Sequence, residues 1–209
     1  MMKYEWKKMD KEIYLPAQKP QLIEIPKYKY FLISGEGNPN ADDFAEAVQA
    51  LYSLSYSVKM MPKKGKTPEG YYDYTVFPLE GFWDLKEGKR TTGKFNKDDL
   101  VYTIMIRQPD FVDDKLANEV IASIKKAKPL RFLKKVTFGR FDEGLSLQIM
   151  HIGPYDEEPK TFRILEDYCL KNRLIRKSLT HKEIYISDVR RVEPDKMKTV
   201  LRIQVEKIE

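Results

Sequence analysis

The chain contains one pattern twice, and this repetition limits the folds that are open to it. In each copy an alternating, strand-like segment ends at a glycine and is followed by an amphipathic helix. A shift of 118 residues superposes Gly35 on Gly153 and Phe44 on Phe162. Further strands follow each helix, and the second copy ends with "KEIYISDV" and "TVLRIQVEK". Runs of strands with few crossover helices favour an antiparallel α+β fold over a parallel, doubly wound sheet.

We therefore predict an α+β fold of two pseudo-symmetric repeats, at about 21–110 and 140–207. Each repeat is a strand-helix-strand-strand unit, and the two should form a curved antiparallel sheet with helices on one face. Residues 1–20 contain two prolines and no clear period, so they are predicted to be an N-terminal arm that lies over the domain or is partly mobile. The remainder, 21–209, is then a single domain.

One strand and one helix of the second repeat matter most for function. Alternation in the strand near 182–187 puts Ile184 and Ile186 on one face and Glu183 on the other. Because apolar side chains normally face the core, we expect the helix near 158–171 to pack on the isoleucine face. Glu183 would then face either bulk water or a ligand.

The composition is that of a globular protein and excludes several classes. There is no run of about 18 apolar residues that could span a bilayer, and the N-terminus lacks the apolar centre of a signal peptide, which predicts a cytoplasmic protein without a membrane partner. One cysteine, Cys169, cannot form an internal disulfide, and His151 and His181 are too few for a zinc set. No phosphate-binding loop or Ser-His-Asp motif is visible, so we predict neither a metal nor a cofactor.

The net charge of +6 raises the question of nucleic-acid binding. The basic residues lie mainly in loop-like stretches such as "MMPKKGKTPEG" and "KEGKRTTGKFNK", and not along a recognisable reading helix. This distribution argues against nucleic acid as a partner.

Three segments carry a resemblance to a known family: "LQIMHIGPYDEEPKTF", "HKEIYISDVRRVEPDKMKTVLRIQV" and "PLEGFWDL". Over roughly residues 20 to 207 the chain resembles the GyrI-like small-molecule-binding domain, which is named after a gyrase inhibitor and related to effector-binding domains of multidrug-responsive transcription regulators. The resemblance implies a ligand cleft between the two halves, lined by aromatic side chains and a buried glutamate. It also implies three candidate activities: drug sensing in a regulator, sequestration of toxins, and hydrolysis of cyclopropane-containing DNA-alkylating compounds.

Glu183 matches the position of the family's pocket glutamate. A carboxylate among aromatic side chains is poorly solvated, so it can pair with a cationic ligand or exchange a proton. An exposed cross-strand salt bridge is the alternative. Tyr185 lies on the same strand face, and Tyr155 follows "HIGP" at the strand-to-helix turn, so we expect both to line the pocket.

The first repeat supplies further candidates. We read "YYDYTVFPLEGFWDL" as a strand, a break at Pro78 and Gly81, and a second short strand, with Trp83 as a flat aromatic wall or a core residue. Glu80 is either a second acid or a solvated loop residue. Tyr72 is a wall residue or a core residue.

Two functional hypotheses follow. In the first, the chain is a free-standing, cytoplasmic drug- or toxin-binding protein for an amphipathic aromatic or cationic compound. Its hydrolytic, detoxifying version uses Glu183 as a general base or proton exchanger, while Tyr155 or Tyr185 orients the substrate carbonyl or the water. In the second, the chain is a non-catalytic module that interacts with a protein partner, either as a gyrase inhibitor does or as a sensor for a separate DNA-binding regulator. The sequence contains no recognisable helix-turn-helix of its own.

Overall fold

The computed structural model describes residues 3–89, 96–127 and 130–208. Within these ranges it contains five α-helices and nine strands, and each described pairing between two strands is antiparallel, which confirms the α+β class. The helices are α1 (Trp6–Met9), α2 (Lys11–Tyr14), α3 (Asp42–Lys59), α4 (Asp114–Ala127) and α5 (Glu158–Lys171). The strands are β1 (Gln21–Ile25), β2 (Tyr28–Glu36), β3 (Leu79–Leu85), β4 (Leu100–Gln108), β5 (Thr137–Phe141), β6 (Gly144–Ile152), β7 (Leu174–Arg176), β8 (His181–Tyr185) and β9 (Lys198–Lys207). None of the described helices combines the length and apolar character needed to cross a bilayer.

The chain folds into two compact units that do not follow sequence order. Unit 1 consists of Met1–Glu5, Tyr28–Leu79 and Asp84–Phe141, as far as these are described. Unit 2 consists of Trp6–Lys27, Glu80–Trp83 and Asp142–Glu209, with the same restriction. Strand β3 therefore gives its central residues to unit 2 and its ends to unit 1.

In unit 1, β2 lies between β4 and β5. Gly35 of β2 is opposite Tyr102 of β4, and a Cβ at position 35 would lie 2.7 Å from the tyrosine ring. Phe44 of α3 packs edge-on against the same ring, with 5.1 Å between the ring centroids. The glycine of the first sequence repeat thus allows an aromatic side chain to lie directly over the strand.

In unit 2, the strand order is β1, β6, β9, β8, and then residues Glu80–Trp83 of β3, while β7 pairs with the far end of β9. Gly153 follows β6 with φ of +139°, a conformation that side chains with a Cβ rarely adopt. Phe162 of α5 packs edge-on against His181 of β8 at 4.7 Å. In both repeats, therefore, the phenylalanine after the glycine packs against an aromatic side chain of a strand.

Helix α5 packs on the opposite face of the sheet from the one we predicted. Ile149 of β6 is directly opposite Leu201 of β9, which in turn is opposite Glu183 of β8. Directly opposed residues of antiparallel strands point to the same face. Leu165 and other apolar residues of α5 pack with Ile149 and Leu201, so the helix covers the Glu183 face. Ile184 points to the other face.

The prediction failed because both faces of β8 are covered. The face that carries Ile184 also carries Lys182, which is directly opposite Arg202 of β9, and both charged side chains are buried. The N-terminal residues cover this face: Arg202 donates a hydrogen bond of 2.9 Å to the carbonyl of Ile13. The short helices α1 and α2 thus belong to the packed structure of unit 2, where Tyr14 is only 1% exposed.

Candidate functional site

Glu183 is held by two neighbours on its own strand. Its side chain is 13% exposed. Oε2 accepts a hydrogen bond of 2.8 Å from the Tyr185 hydroxyl, and Oε1 lies 3.0 Å from His181 Nε2. These three side chains share a face because they are two residues apart in a strand. The Tyr185 hydroxyl donates to the Glu183 carboxylate, and the His181 imidazole can do so when Nε2 carries a proton.

Trp83 reaches the same group from β3. Its indole Nε1 donates a hydrogen bond of 2.7 Å to the Tyr185 hydroxyl, and the ring is 4% exposed. In the pairing of β3 with β8, Trp83 is opposite His181 and Gly81 is opposite Glu183. Gly81 therefore puts no side chain beside the carboxylate, and the indole can cross that space diagonally to reach Tyr185. The result is a chain of donors from Trp83 through Tyr185 to Glu183.

A second carboxyl group, Glu158, contacts the first. Glu158 is the first residue of α5 and is 6% exposed. Burial, the charge of Glu183 and a hydrogen bond shared with Glu183 raise the pKa of Glu158 to about 10. A helix N-terminus normally favours the ionised carboxylate, but here desolvation and the like charge outweigh the helix dipole. Glu158 is therefore protonated at neutral pH. Among the described residues, its Oε1 has no hydrogen-bond partner.

Tyr155 is the most accessible member of the group. Its side chain is 37% exposed, and its ring lies edge-on to that of Tyr185 with 6.0 Å between the centroids. Burial, and after it the nearby charge of Glu183, raises the pKa of the Tyr155 hydroxyl. The hydroxyl therefore stays protonated at physiological pH and can act as a hydrogen-bond donor to a bound molecule.

Glu80 is positioned differently from our expectation of a break at Gly81. Strand β3 begins after Pro78 and runs through Gly81 without interruption, so Glu80 is a strand residue. It is opposite Ile184 and 1% exposed, and its two oxygens contact Tyr14 Oη at 3.1 Å and Lys182 Nζ at 2.6 Å. Its side chain therefore points away from the face that carries Glu183.

Tyr72 belongs to unit 1, and the segment around it is not a strand. Only Tyr74 in the described part of this segment forms a bridge, an isolated one with Tyr4. The Tyr72 ring is half-buried and lies 5.7 Å from that of Tyr4 and 5.4 Å from that of Phe111. Its role as a ligand wall stays a prediction.

The histidine next to the second-repeat glycine is engaged in local hydrogen bonds. His151 Nδ1 lies 2.8 Å from Thr161 Oγ1, and Nε2 lies 3.2 Å from the carbonyl of Pro154. A shallow cavity of about 160 Å³ adjoins it, lined also by Lys160 and Ile164. None of Glu158, Glu183, Tyr155, Tyr185 or Trp83 lines this cavity. In the described part of the chain, no three His, Cys, Asp or Glu side chains are grouped to hold a metal ion.

Sequence reasoning missed Glu158 and His181. Glu158 stands at helical spacing with three apolar residues, Phe162, Leu165 and Cys169, so it is a carboxyl on the buried stripe of α5. From the sequence, we assigned no role to Glu158. His181 is two residues before Glu183, and the same alternation that placed Tyr185 beside Glu183 also places His181 there.

The site thus combines two carboxyl groups, of which Glu158 is protonated at neutral pH, with three aromatic side chains. Glu158 can supply a proton, and Glu183, which accepts a hydrogen bond from Tyr185, is placed to take one up. Aromatic side chains around the carboxyls can contact a planar, apolar ligand. This geometry is compatible both with binding and with acid-base catalysis.

Solved structures with the same fold include proteins from Listeria innocua. A hydrolase from that organism is 33% identical, with a TM-score of 0.88 over 98% of this chain and 100% of that one. An uncharacterised conserved protein from the same organism is 37% identical, with a TM-score of 0.89 over the same shares. The C-terminal domain of EcmrR shares the fold at 13% identity and a TM-score of 0.52, covering 94% of this chain and 99% of that domain. A comparison with curated proteins gave no match.

The sequence profile of one family matches residues 18–206, which include all the site residues of unit 2 and every described strand except the last residue of β9. The resemblance seen in the three sequence segments therefore extends over most of the chain. The chain belongs to the family of GyrI-like small-molecule-binding domains.

Proposed function

We propose that unit 2 binds an amphipathic, aromatic small molecule beside Glu158 and Glu183 and hydrolyses it. The observation that carries this proposal is the contact between two carboxyl groups, one of which keeps its proton at neutral pH. A site that only had to bind a cation would gain from two ionised carboxylates. A site that hydrolyses needs a base and an acid at the same time.

The proposed substrates are cyclopropane-containing alkylating agents, in which the strained ring is conjugated to a carbonyl group. Glu183 removes a proton from water as the water oxygen bonds to a ring carbon. The strained carbon–carbon bond breaks, and its electron pair moves to the carbonyl oxygen, which takes the proton of Glu158. Transfer of a proton from Glu183 to Glu158 restores the site, and the product has gained one molecule of water.

The remaining side chains have roles in this scheme. Tyr185 donates to Glu183 and fixes the direction of its carboxylate, while Trp83 fixes Tyr185. Tyr155, the most accessible side chain of the site, orients the substrate carbonyl. The Listeria innocua hydrolase, at 33% identity over nearly the whole chain, supports a hydrolytic function. The proposed compartment is the cytoplasm, because a hydrolase that protects DNA has to reach the agent on the same side of the membrane.

Replacing Glu183 by Gln tests the proposal. The substitution keeps the size and removes the base, so a synthetic cyclopropane-fused dienone should bind nearly as before. Its hydrolysis, followed by mass spectrometry as the gain of one water, should slow by about 10²- to 10⁴-fold. Lys196→Met in the same unit, at an exposed position, is the control that should leave turnover unchanged.

Binding without turnover by the wild-type protein would contradict hydrolysis and favour the sensor or protein-interaction alternative. Unchanged turnover in Glu183→Gln would show that Glu183 is not the base. In that case the carboxylate pair would have no catalytic role.

A further inference from the structure

Behind the proposed site, on the other face of β8, lies a set of buried charges that the hydrolytic scheme does not use. We propose that Lys182 is a positioning residue, which fixes the register of β8 and so keeps Glu183 and Tyr185 on the face that carries Trp83. This role deepens the proposed function and rests on it where turnover is the readout. The structural readout described below is independent of turnover.

The contacts of Lys182 are short and fully enclosed. Its side chain is 1% exposed, and Nζ lies 2.6 Å from Glu80 Oε2 and 2.5 Å from Glu143 Oε1. Arg202, directly opposite in β9, contacts the same Glu143 at 3.3 Å. Two cations and two carboxylates therefore face each other, and the buried group is neutral as a whole.

The apolar side chains of β8 are too few to specify its register, so the buried charges are needed for that purpose. It has five residues and pairs with β3 and with β9 over four residues each. Ile184 is its only aliphatic side chain, and ionisable or polar side chains occupy both faces. A shift by one residue exchanges the faces of every side chain, and register is poorly specified where neither face is clearly apolar.

Charge balance opposes that shift. In a register moved by one residue, Glu183 would replace Lys182 on the face of Glu80, Glu143 and Arg202. One guanidinium would then face three carboxylates, which is an excess of two negative charges in a buried space. Uncompensated buried charge is strongly unfavourable, so the observed register is selected.

The network extends to the N-terminal helices, which hold its members in place. Tyr14 donates its hydroxyl to Glu80, and Gln148 accepts from Arg202 Nε at 3.0 Å. Buried ion pairs contribute little net stability compared with apolar side chains of the same size. Their best-attested use is to select one arrangement among several, and here that arrangement brings Glu183 to Tyr185 and Trp83.

The test removes one cation and one carboxylate together. The double variant Lys182→Met with Glu80→Gln leaves Glu143 paired with Arg202, so no net charge is buried. The matched control is Lys196→Met with Glu193→Gln, an ion pair of 2.7 Å whose side chains are 73% and 70% exposed. Both variants have the same substitutions and the same net charge.

Two readouts separate positioning from simple loss of stability. The first is hydrogen exchange of the Trp83 indole N–H by NMR, assigned by comparison with Trp6→Phe, because this N–H donates to Tyr185 only in the observed register. The double variant should exchange it at least about tenfold faster, with global unfolding measured separately. The second is turnover of the cyclopropane-fused dienone, where kcat should fall at least about tenfold with KM nearly unchanged, since small misplacements of reacting groups cost up to about 10²-fold.

If the double variant keeps the exchange rate and kcat within about twofold of wild type, as the control should, Lys182 does not position the site. Should the double variant not fold, Tyr14→Phe replaces it, because it removes only the hydroxyl that supports Glu80. In Tyr14→Phe, a smaller rise in the exchange rate of the Trp83 indole N–H and a smaller fall in kcat support the proposal. An unchanged exchange rate overturns it. A wild-type protein without turnover would end the proposed function, while the indole exchange still decides the role of Lys182.

Discussion

Replacing Glu158 by Gln should make the protein more stable, and increasingly so as the pH rises. The pKa of Glu158 is raised from its ordinary value of 4.5 to about 10 in the folded protein, mainly by burial and then by the charge of Glu183. Between these two values the folded state holds a proton that the unfolded chain has released. Folding must therefore take up a proton, and this uptake becomes more costly with each unit of pH.

The size of the effect follows from the interval between pH 4.5 and the working pH. Each unit corresponds to about 1.4 kcal/mol, so at pH 7 the carboxyl lowers the free energy of unfolding by about 3 kcal/mol. At pH 5 the same effect is below about 1 kcal/mol. Gln cannot ionise, and its amide can donate to Glu183 as the protonated carboxyl does. Glu158→Gln should thus remove the penalty while it abolishes the proton supply for hydrolysis.

The assay is denaturant unfolding of both proteins at pH 5, 7 and 8.5, with the difference in free energy plotted against pH. Glu157→Gln, one residue away, is the control, because an exposed hydrogen bond from Lys160 lowers the pKa of Glu157. A carboxyl whose pKa is lowered by folding stabilises the fold fully above its ordinary pKa, and this stabilisation is lost as the pH falls toward the lowered pKa. The Glu157→Gln control should therefore show no gain in stability with rising pH. A difference for Glu158→Gln that stays flat or becomes negative would refute the raised pKa and, with it, the role of Glu158 as acid.

Two more predictions concern the donors around Glu183. In a Trp6→Phe background, the emission of Trp83 should fall saturably when an aromatic cationic dye binds, and an unsaturable decrease would mean that the dye does not occupy the site. Tyr185→Phe removes the hydroxyl that accepts from the Trp83 indole N–H and donates to Glu183. The free energy of unfolding should therefore fall by about 1 to 3 kcal/mol. An unchanged thermal unfolding curve would show that these hydrogen bonds are not formed in solution.

The sequence predicted the extent of the helix better than it predicted which face of the sheet that helix covers. The helix near 158–171 is α5 (Glu158–Lys171), because apolar residues at helical spacing report on one continuous segment. Alternation in β8 correctly separated Glu183 from Ile184. It could not show which face the helix covers, because that depends on residues of other strands.

The buried charges explain why the choice of face failed. An isoleucine normally marks the core side, but Lys182 and Arg202 occupy that side together with Glu143, from positions 20 to 59 residues apart. A sequence pattern within one strand cannot reveal partners at such distances. The contact between Glu158 and Glu183 is of the same kind, and its one local sign was a carboxyl on the apolar stripe of a helix.

Unit 2 is built from three segments that are far apart in the sequence, and this affects the order in which its contacts form during synthesis. Arg202 bonds to the carbonyl of Ile13 across 189 residues, and Glu80 meets Lys182 only when the last third of the chain exists. At synthesis rates of about 5 to 20 residues per second, the N-terminal helices wait on the order of ten seconds or more for their partners. Trp6 and Tyr14, which are buried in the finished protein, are exposed to solvent, chaperones and proteases during that interval, so the nascent chain is vulnerable at its N-terminal end until the last strands are made.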